Sequence, residues 1–138
     1  MNDKDLKHIL LSSRTIASVG ISSSPAKESY GVAGYLLSQG YRVIPVNPSA
    51  SEILGQKAYP YLLSIPEAVD VVQVFRPSSD VPPLVEQAIQ IGAKVVWMQS
   101  GIVNEEAARR AEAAGLQVVM DRCMRVMHRN LIGYQPPR

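Results

Sequence analysis

Short apolar runs rich in β-branched residues recur at positions 16–19, 43–46, 71–75, 95–98 and 116–120, roughly every 25 residues. Each run is almost continuously apolar, as strands are when both faces of their sheet are covered. The stretches between most of them are long enough for a crossover helix. Several of these stretches also carry helix end signals. Ser29 is placed to cap a helix over 30–39, with Val32, Ala33, Leu36 and Leu37 as its buried stripe and Gly40 at its end. Asp80 is placed to cap a second helix, with Pro82 and Pro83 in its first turn and Gly92 as its stop. Asn104 is placed to cap a third, which opens with Glu105 and Glu106 and ends at Gly115. A helix over 3–12 precedes the first strand and a short one over 123–131 follows the last. Segment 48–70 reads as a turn around Gly55 and a short helix over 61–65.

Strand–helix alternation of this kind predicts an α/β fold: a Rossmann-like three-layer parallel sheet of five strands with helices on both faces. The expected strand order is 3-2-1-4-5, and the pattern leaves the flavodoxin-like order 2-1-3-4-5 open. The 138 residues suit one domain covering 1–138.

Composition narrows the partners. Apolar residues make up 46% and charged residues 19%, ordinary values for a globular protein. A net charge of +2 with Lys and Arg spread along the chain argues against nucleic acid. No apolar run reaches the roughly 18 residues of a membrane span. The N-terminus lacks the basic-then-apolar pattern of a secretory signal, and the lone Cys123 cannot form an internal disulfide, so a cytoplasmic setting is expected. One Cys and two distant His make no metal-ligand spacing.

In open parallel sheets, ligands bind beyond the carboxyl ends of the strands. The segments that follow the first four strands therefore name the site. They are Gly20–Ser29, Asn47–Ser49, Arg76–Ser79 and Gln99–Asn104, rich in Ser, Gly and Pro and poor in carboxylates. That composition suits an anion. The first loop enters a helix N-terminus, whose free N–H groups attract phosphate. Ser22, Ser23, Ser24 and Ser29 add hydroxyls and Lys27 adds charge, although Ser and Pro also simply build loops. NAD is disfavoured, because no Gly-x-Gly-x-x-Gly follows the first strand and the second ends Pro45-Val46-Asn47-Pro48 without an acid for a ribose diol.

Five motifs, in order, carry a family resemblance: Ala17-Ser18-Val19-Gly20-Ile21-Ser22, Tyr41-Arg42-Val43-Ile44-Pro45-Val46-Asn47-Pro48, Val74-Phe75-Arg76-Pro77, Val96-Trp97-Met98-Gln99-Ser100-Gly101 and Met120-Asp121-Arg122-Cys123. Over about 14–133 the chain resembles the small stand-alone CoA-binding proteins, relatives of the CoA-binding domain of the succinyl-CoA synthetase α subunit. The resemblance implies coenzyme A or an acyl-CoA as ligand. It implies Gly20, Ile21, Ser22 and Ser23 at the phosphates, with Ser24, Lys27, Ser29 and Tyr30 in the same loop and helix start. Pro45, Asn47 and Pro48 would wall the adenine and ribose. Phe75, Arg76 and Pro77 would border the nucleotide and the pantetheine arm, and Gln99, Ser100 and Gly101 the arm or its thiol end. Two positions depart from the pattern. Ser49-Ala50-Ser51 stands where many relatives carry a Lys or Arg, shifting phosphate charge to Lys27, Arg42 or Arg76. Met127 stands where many have a Glu before the C-terminal His.

No triad and no paired carboxylates are legible, so no catalytic residue is named and a holding module is expected: a carrier, a sensor or a partner of an acyl-CoA enzyme. Homodimerisation stays open. The alternatives are a small oxidoreductase or acyl-transferring enzyme in the same cleft, or an interaction protein with a vestigial pocket. Cys123 and His128 read as packing residues that could also serve as a thiol partner and an acid–base group.

Overall fold

The computed structural model describes residues 1–136. Five parallel strands form the main sheet: β1 (Thr15–Val19), β2 (Arg42–Val46), β5 (Val71–Val74), β6 (Val95–Met98) and β7 (Gln117–Val119). Between β2 and β5 lies a small antiparallel hairpin, β3 (Glu52–Ile53) and β4 (Gln56–Lys57). The helices are α1 (Asp3–Ser12), α2 (Glu28–Ser38), α3 (Val81–Gln90), α4 (Glu105–Ala113) and α5 (Met124–Leu131).

Alternate strand residues feed two apolar cores, one on each face. Ile16, Val43, Val71, Val95 and Trp97 pack with Leu6, Ile9 and Leu10 of α1, Val32 and Leu36 of α2 and Met124 of α5. Ala17, Val19, Ile44, Val72, Val74 and Met98 pack with Val81 and Val85 of α3, Ala107 and Ala111 of α4 and Leu62 of a short 3₁₀ turn. The result is the expected three-layer α/β architecture. Trp97 is fully buried, and its indole N–H donates to the Arg122 carbonyl at 2.7 Å, so the ring brings no unpaired donor into the core.

The strand order is β2-β1-β5-β6-β7. Counting the five main strands along the chain, this is 2-1-3-4-5, which corrects the expected 3-2-1-4-5. The physical reason is Pro45. A proline has no N–H for a ladder and is confined to sheet edges. β2 is an edge strand, and the place an outer neighbour would take is held by the chain at Tyr59. The Tyr59 N–H donates to the Pro45 carbonyl at 3.0 Å, and the Asn47 N–H donates to the Tyr59 carbonyl at 2.9 Å. The third main strand therefore returns to the free side of β1.

Two expected caps also differ. The residue before α2 is Lys27, with no side-chain cap, and Ser29 lies inside the first turn with its hydroxyl engaged elsewhere. Asp80 makes no capping bond to α3 because its carboxylate holds Arg76. Asn104 does cap α4, its Oδ1 accepting from the Ala107 N–H at 2.9 Å.

Candidate functional site

Because all five main strands are parallel, the segments after β1, β2, β5 and β6 share one edge. The first loop is built by internal hydrogen bonds. The Ser22 N–H donates to Ser29 Oγ at 2.9 Å, and the Ser24 N–H donates to Ser22 Oγ at 3.0 Å. Ser29 is buried and spent on this bond, whereas Ser23 and Lys27 stand exposed. The Ile21 side chain is buried in the core, leaving its backbone for the edge. Tyr30 packs on the core beneath α2.

Asn47 ties two of the loops together. Its Nδ2 donates to the Ile21 carbonyl at 2.9 Å and its Oδ1 accepts from the Ser49 N–H at 2.7 Å. Gly20 makes a second tie by close approach. It has φ +86°, and a Cβ built there would lie 2.6 Å from the Phe75 carbonyl oxygen and 2.9 Å from Arg76 Cδ. Only glycine lets β1 leave the sheet here so near the end of β5.

Two clefts open on this edge, and Arg76 lines both. The larger, about 400 Å³, is walled by Val19, Gly20, Asn47, Pro48, Tyr61 and Leu84 among others. The smaller, about 270 Å³, is lined by Glu28, Phe75, Arg76, Pro77, Gln99, Ser100 and Ile102. Arg76 is about half exposed and is held by Asp80, with Nη2 at 2.8 Å from Oδ2. Among the described residues, Arg76 is the one cation lining the larger cleft.

The structure thus brings together Gly20, Asn47, Pro48, Phe75, Arg76, Pro77, Gln99 and Ser100. It places three other expected residues differently. Pro45 is buried within β2 and lines neither cleft. The Gly101 N–H is already taken by Asp121 Oδ1 at 2.6 Å. Arg42 lies at the opposite edge, where a two-pronged bond at 3.0 Å to Glu67 occupies it, so it supplies no charge to the clefts. Sequence reasoning missed Pro60, Tyr61, Leu62, Leu84 and Gln87 in the larger cleft, whereas Glu28 and Ile102 in the smaller lie within the segments it named without being singled out. The run Tyr59-Pro60-Tyr61, aromatic and stiff within an otherwise irregular crossover, was the available signal.

His128 lies away from this edge. It is buried, its Nδ1 lies 2.8 Å from the Tyr35 hydroxyl, and it meets Tyr35 and Tyr41 edge-on. Burial lowers its pKa, and burial pushes the Tyr41 hydroxyl up to about 12. Cys123 is buried at the start of α5.

A family model described as a CoA binding domain matches residues 14–129. The chain belongs to that CoA-binding family. Within the family, it is 41% identical over 124 residues to the uncharacterized protein YneT of Bacillus subtilis, covering 90% of this chain and 92% of that one. It is 30% identical over 139 residues to the α subunit of an ADP-forming acetate–CoA ligase of Pyrococcus furiosus, covering 94% of this chain. It spans only 30% of that ligase subunit's length. Among solved structures, a hypothetical protein from Pyrococcus horikoshii superposes with TM-score 0.93 at 44% identity, covering 96% of this chain and 94% of that one. A protein from Thermus thermophilus superposes with TM-score 0.90 at 39% identity, covering 96% of this chain and all of the other. The CoA-binding domain therefore recurs both as a small protein and as part of larger ligase subunits. Among the described residues, no helix is long and apolar enough to cross a membrane.

Proposed function

We propose that the protein binds coenzyme A or an acyl-CoA along the carboxyl edge of its sheet, as one compact cytoplasmic binding domain. The observation that carries this reading is the pair of clefts meeting at Arg76, beside a loop that feeds the N-terminus of α2. An extended ligand with a charged middle suits such a site. The adenosine lies in the larger cleft against Pro48 and Tyr61. The pyrophosphate sits between the Gly20 backbone and Arg76, favoured by the dipole of α2, with Lys27 at the N-cap of that helix adding charge. The pantetheine arm turns into the smaller cleft past Phe75 and Pro77 toward Gln99 and Ser100. The cleft sizes are in the range of cofactor sites.

The same residues speak against NAD. Asn47 stands where a dinucleotide site places its ribose-binding acid, and both ends of its amide are engaged by the protein. We propose a holding role, as a carrier, a sensor or a partner module for an acyl-CoA enzyme. The four segments at this edge offer no activated nucleophile beside a base. Isothermal titration with CoA, dephospho-CoA, NAD and ATP tests this reading. Saturable heat with CoA at one site per chain is expected, and binding of NAD without CoA overturns it.

A further inference from the structure

Three buried polar side chains form a row in the face of the sheet that α1, α2 and α5 cover. Ser18 and Gln73 are fully buried and Gln99 is 4% exposed. Ser18 and Gln73 are register partners on β1 and β5, and Gln99 directly follows β6. Ser18 Oγ donates to Gln73 Oε1 at 2.9 Å. Gln73 Nε2 makes long 3.5 Å contacts with Gln99 Oε1 and Met124 Sδ. The Met124 backbone N–H donates to Gln99 Oε1 at 3.1 Å.

This row has a direction. A backbone N–H can only donate, so the Gln99 atom that meets Met124 is the amide oxygen. Gln73 must then present its nitrogen to that oxygen, and its own oxygen receives the Ser18 hydroxyl. Turning Gln73 over would lose partners at both ends, and turning Gln99 over would lose both bonds to its oxygen. What remains is Gln99 Nε2, which has no protein acceptor among the described residues. The only sealed, unpaired side-chain polar atom among those residues is Arg125 Nε, so Gln99 Nε2 is open. Gln99 lines the smaller cleft, which supplies that opening.

We propose that Gln99 Nε2 is a preset donor for a carbonyl oxygen of the ligand in the smaller cleft. The assignment rests on the CoA reading above and sharpens it. Two kinds of oxygen have this chemistry: an amide carbonyl of the pantetheine arm, and the thioester carbonyl of an acyl-CoA. Ser18 and Gln73 are positioning residues, since they hold the donor's orientation and do not touch the ligand. Gln99 cannot reverse to serve as an acceptor, so the same spot disfavours a ligand group that donates.

The test compares ADP, CoA and acetyl-CoA by titration on the native protein and on Gln99→Met. CoA affinity is expected to fall about tenfold, the size of one lost hydrogen bond, with ADP affinity within about twofold of native. Equal loss for CoA and acetyl-CoA assigns the bond to the pantetheine arm, and loss for acetyl-CoA alone assigns it to the thioester. Unchanged affinity for both, or a parallel loss for ADP, overturns the assignment. A second measurement needs no variant: the Gln99 side-chain amide resonance of the ¹⁵N-labelled native protein should shift with CoA and not with ADP. A resonance that ignores both CoA and acetyl-CoA also overturns it. Failure of the native protein to bind either CoA or ADP removes the underlying reading instead.

Discussion

Asn47 Nδ2 donates to the Ile21 carbonyl at 2.9 Å, joining the loop after β2 to the loop after β1. These loops belong to neighbouring strands, and the bond sets the mouth of the larger cleft. Asn47→Ala removes it and leaves the partly buried carbonyl to water. We expect a loss of about 1 kcal/mol in urea unfolding and a larger relative loss in CoA affinity, because the two loops no longer hold one geometry. Unchanged affinity in a folded variant would show that the loops need no tie.

Gly20 and Gly101 make a controlled pair. Both have positive φ, +86° and +81°, but only Gly20 faces backbone at 2.6 Å, while nothing lies within 4 Å of a Cβ at Gly101. Gly101→Ala should cost about 1–2 kcal/mol, the ordinary penalty of a left-handed residue. Gly20→Ala should cost about 3 kcal/mol or more, since the Phe75 carbonyl must also move. Similar midpoints for the two variants in urea would contradict the close approach.

Arg76 separates binding from stability. Its ion pair with Asp80 is solvent-exposed on both sides, so its loss should change unfolding by less than about 1 kcal/mol. Arg76→Met should nonetheless weaken CoA at least tenfold and flatten the dependence of affinity on salt, because a cation at the pyrophosphate is gone. Titration at two ionic strengths checks this. A native-like affinity with a native-like salt dependence would remove Arg76 from the site.

His128 gives the stability curve a predicted shape. Burial lowers its pKa from 6.5, so the folded state binds this proton less readily than the unfolded state. Stability is therefore complete above about pH 6.5 and declines as the pH falls through the window below it. Asp70 acts lower still: burial opposes its charge, but the Thr15 and Arg14 N–H groups and Lys94 hold its pKa below 3.8. Its contribution is present above that value and is lost as the pH falls further. His128→Phe should flatten the slope below about pH 6.5, measured by urea midpoints. A slope that survives the substitution would assign it elsewhere.

Much of this architecture was legible because its causes are local. Apolar β-branched runs such as Val71-Val72 and Val95-Val96, bounded by turn residues, read as strands buried on both sides, and Asn104 caps its helix from within three residues. The strand order did not follow from the alternation of elements, which fits 3-2-1-4-5 and 2-1-3-4-5 alike; the deciding feature is Pro45, whose missing N–H disfavours an interior strand. Ser29 and Asp80 misled because each has a side chain suited to a cap and a stronger partner elsewhere, the Ser22 N–H and the Arg76 guanidinium. The wall of Tyr61, Leu62 and Leu84 was hidden for a different reason. It joins a crossover to α3 across long sequence distances, and no periodicity announces such a meeting.

The central claim is that one ligand spans both clefts across Arg76. Backbone amide shifts of the ¹⁵N-labelled protein during titration with CoA test it most directly. The account predicts large changes at Gly20–Ser24, Asn47–Ser49, Arg76 and Gln99–Ser100 together. Changes confined to the opposite edge, around Arg14, Gly40 and Gln135, would contradict it.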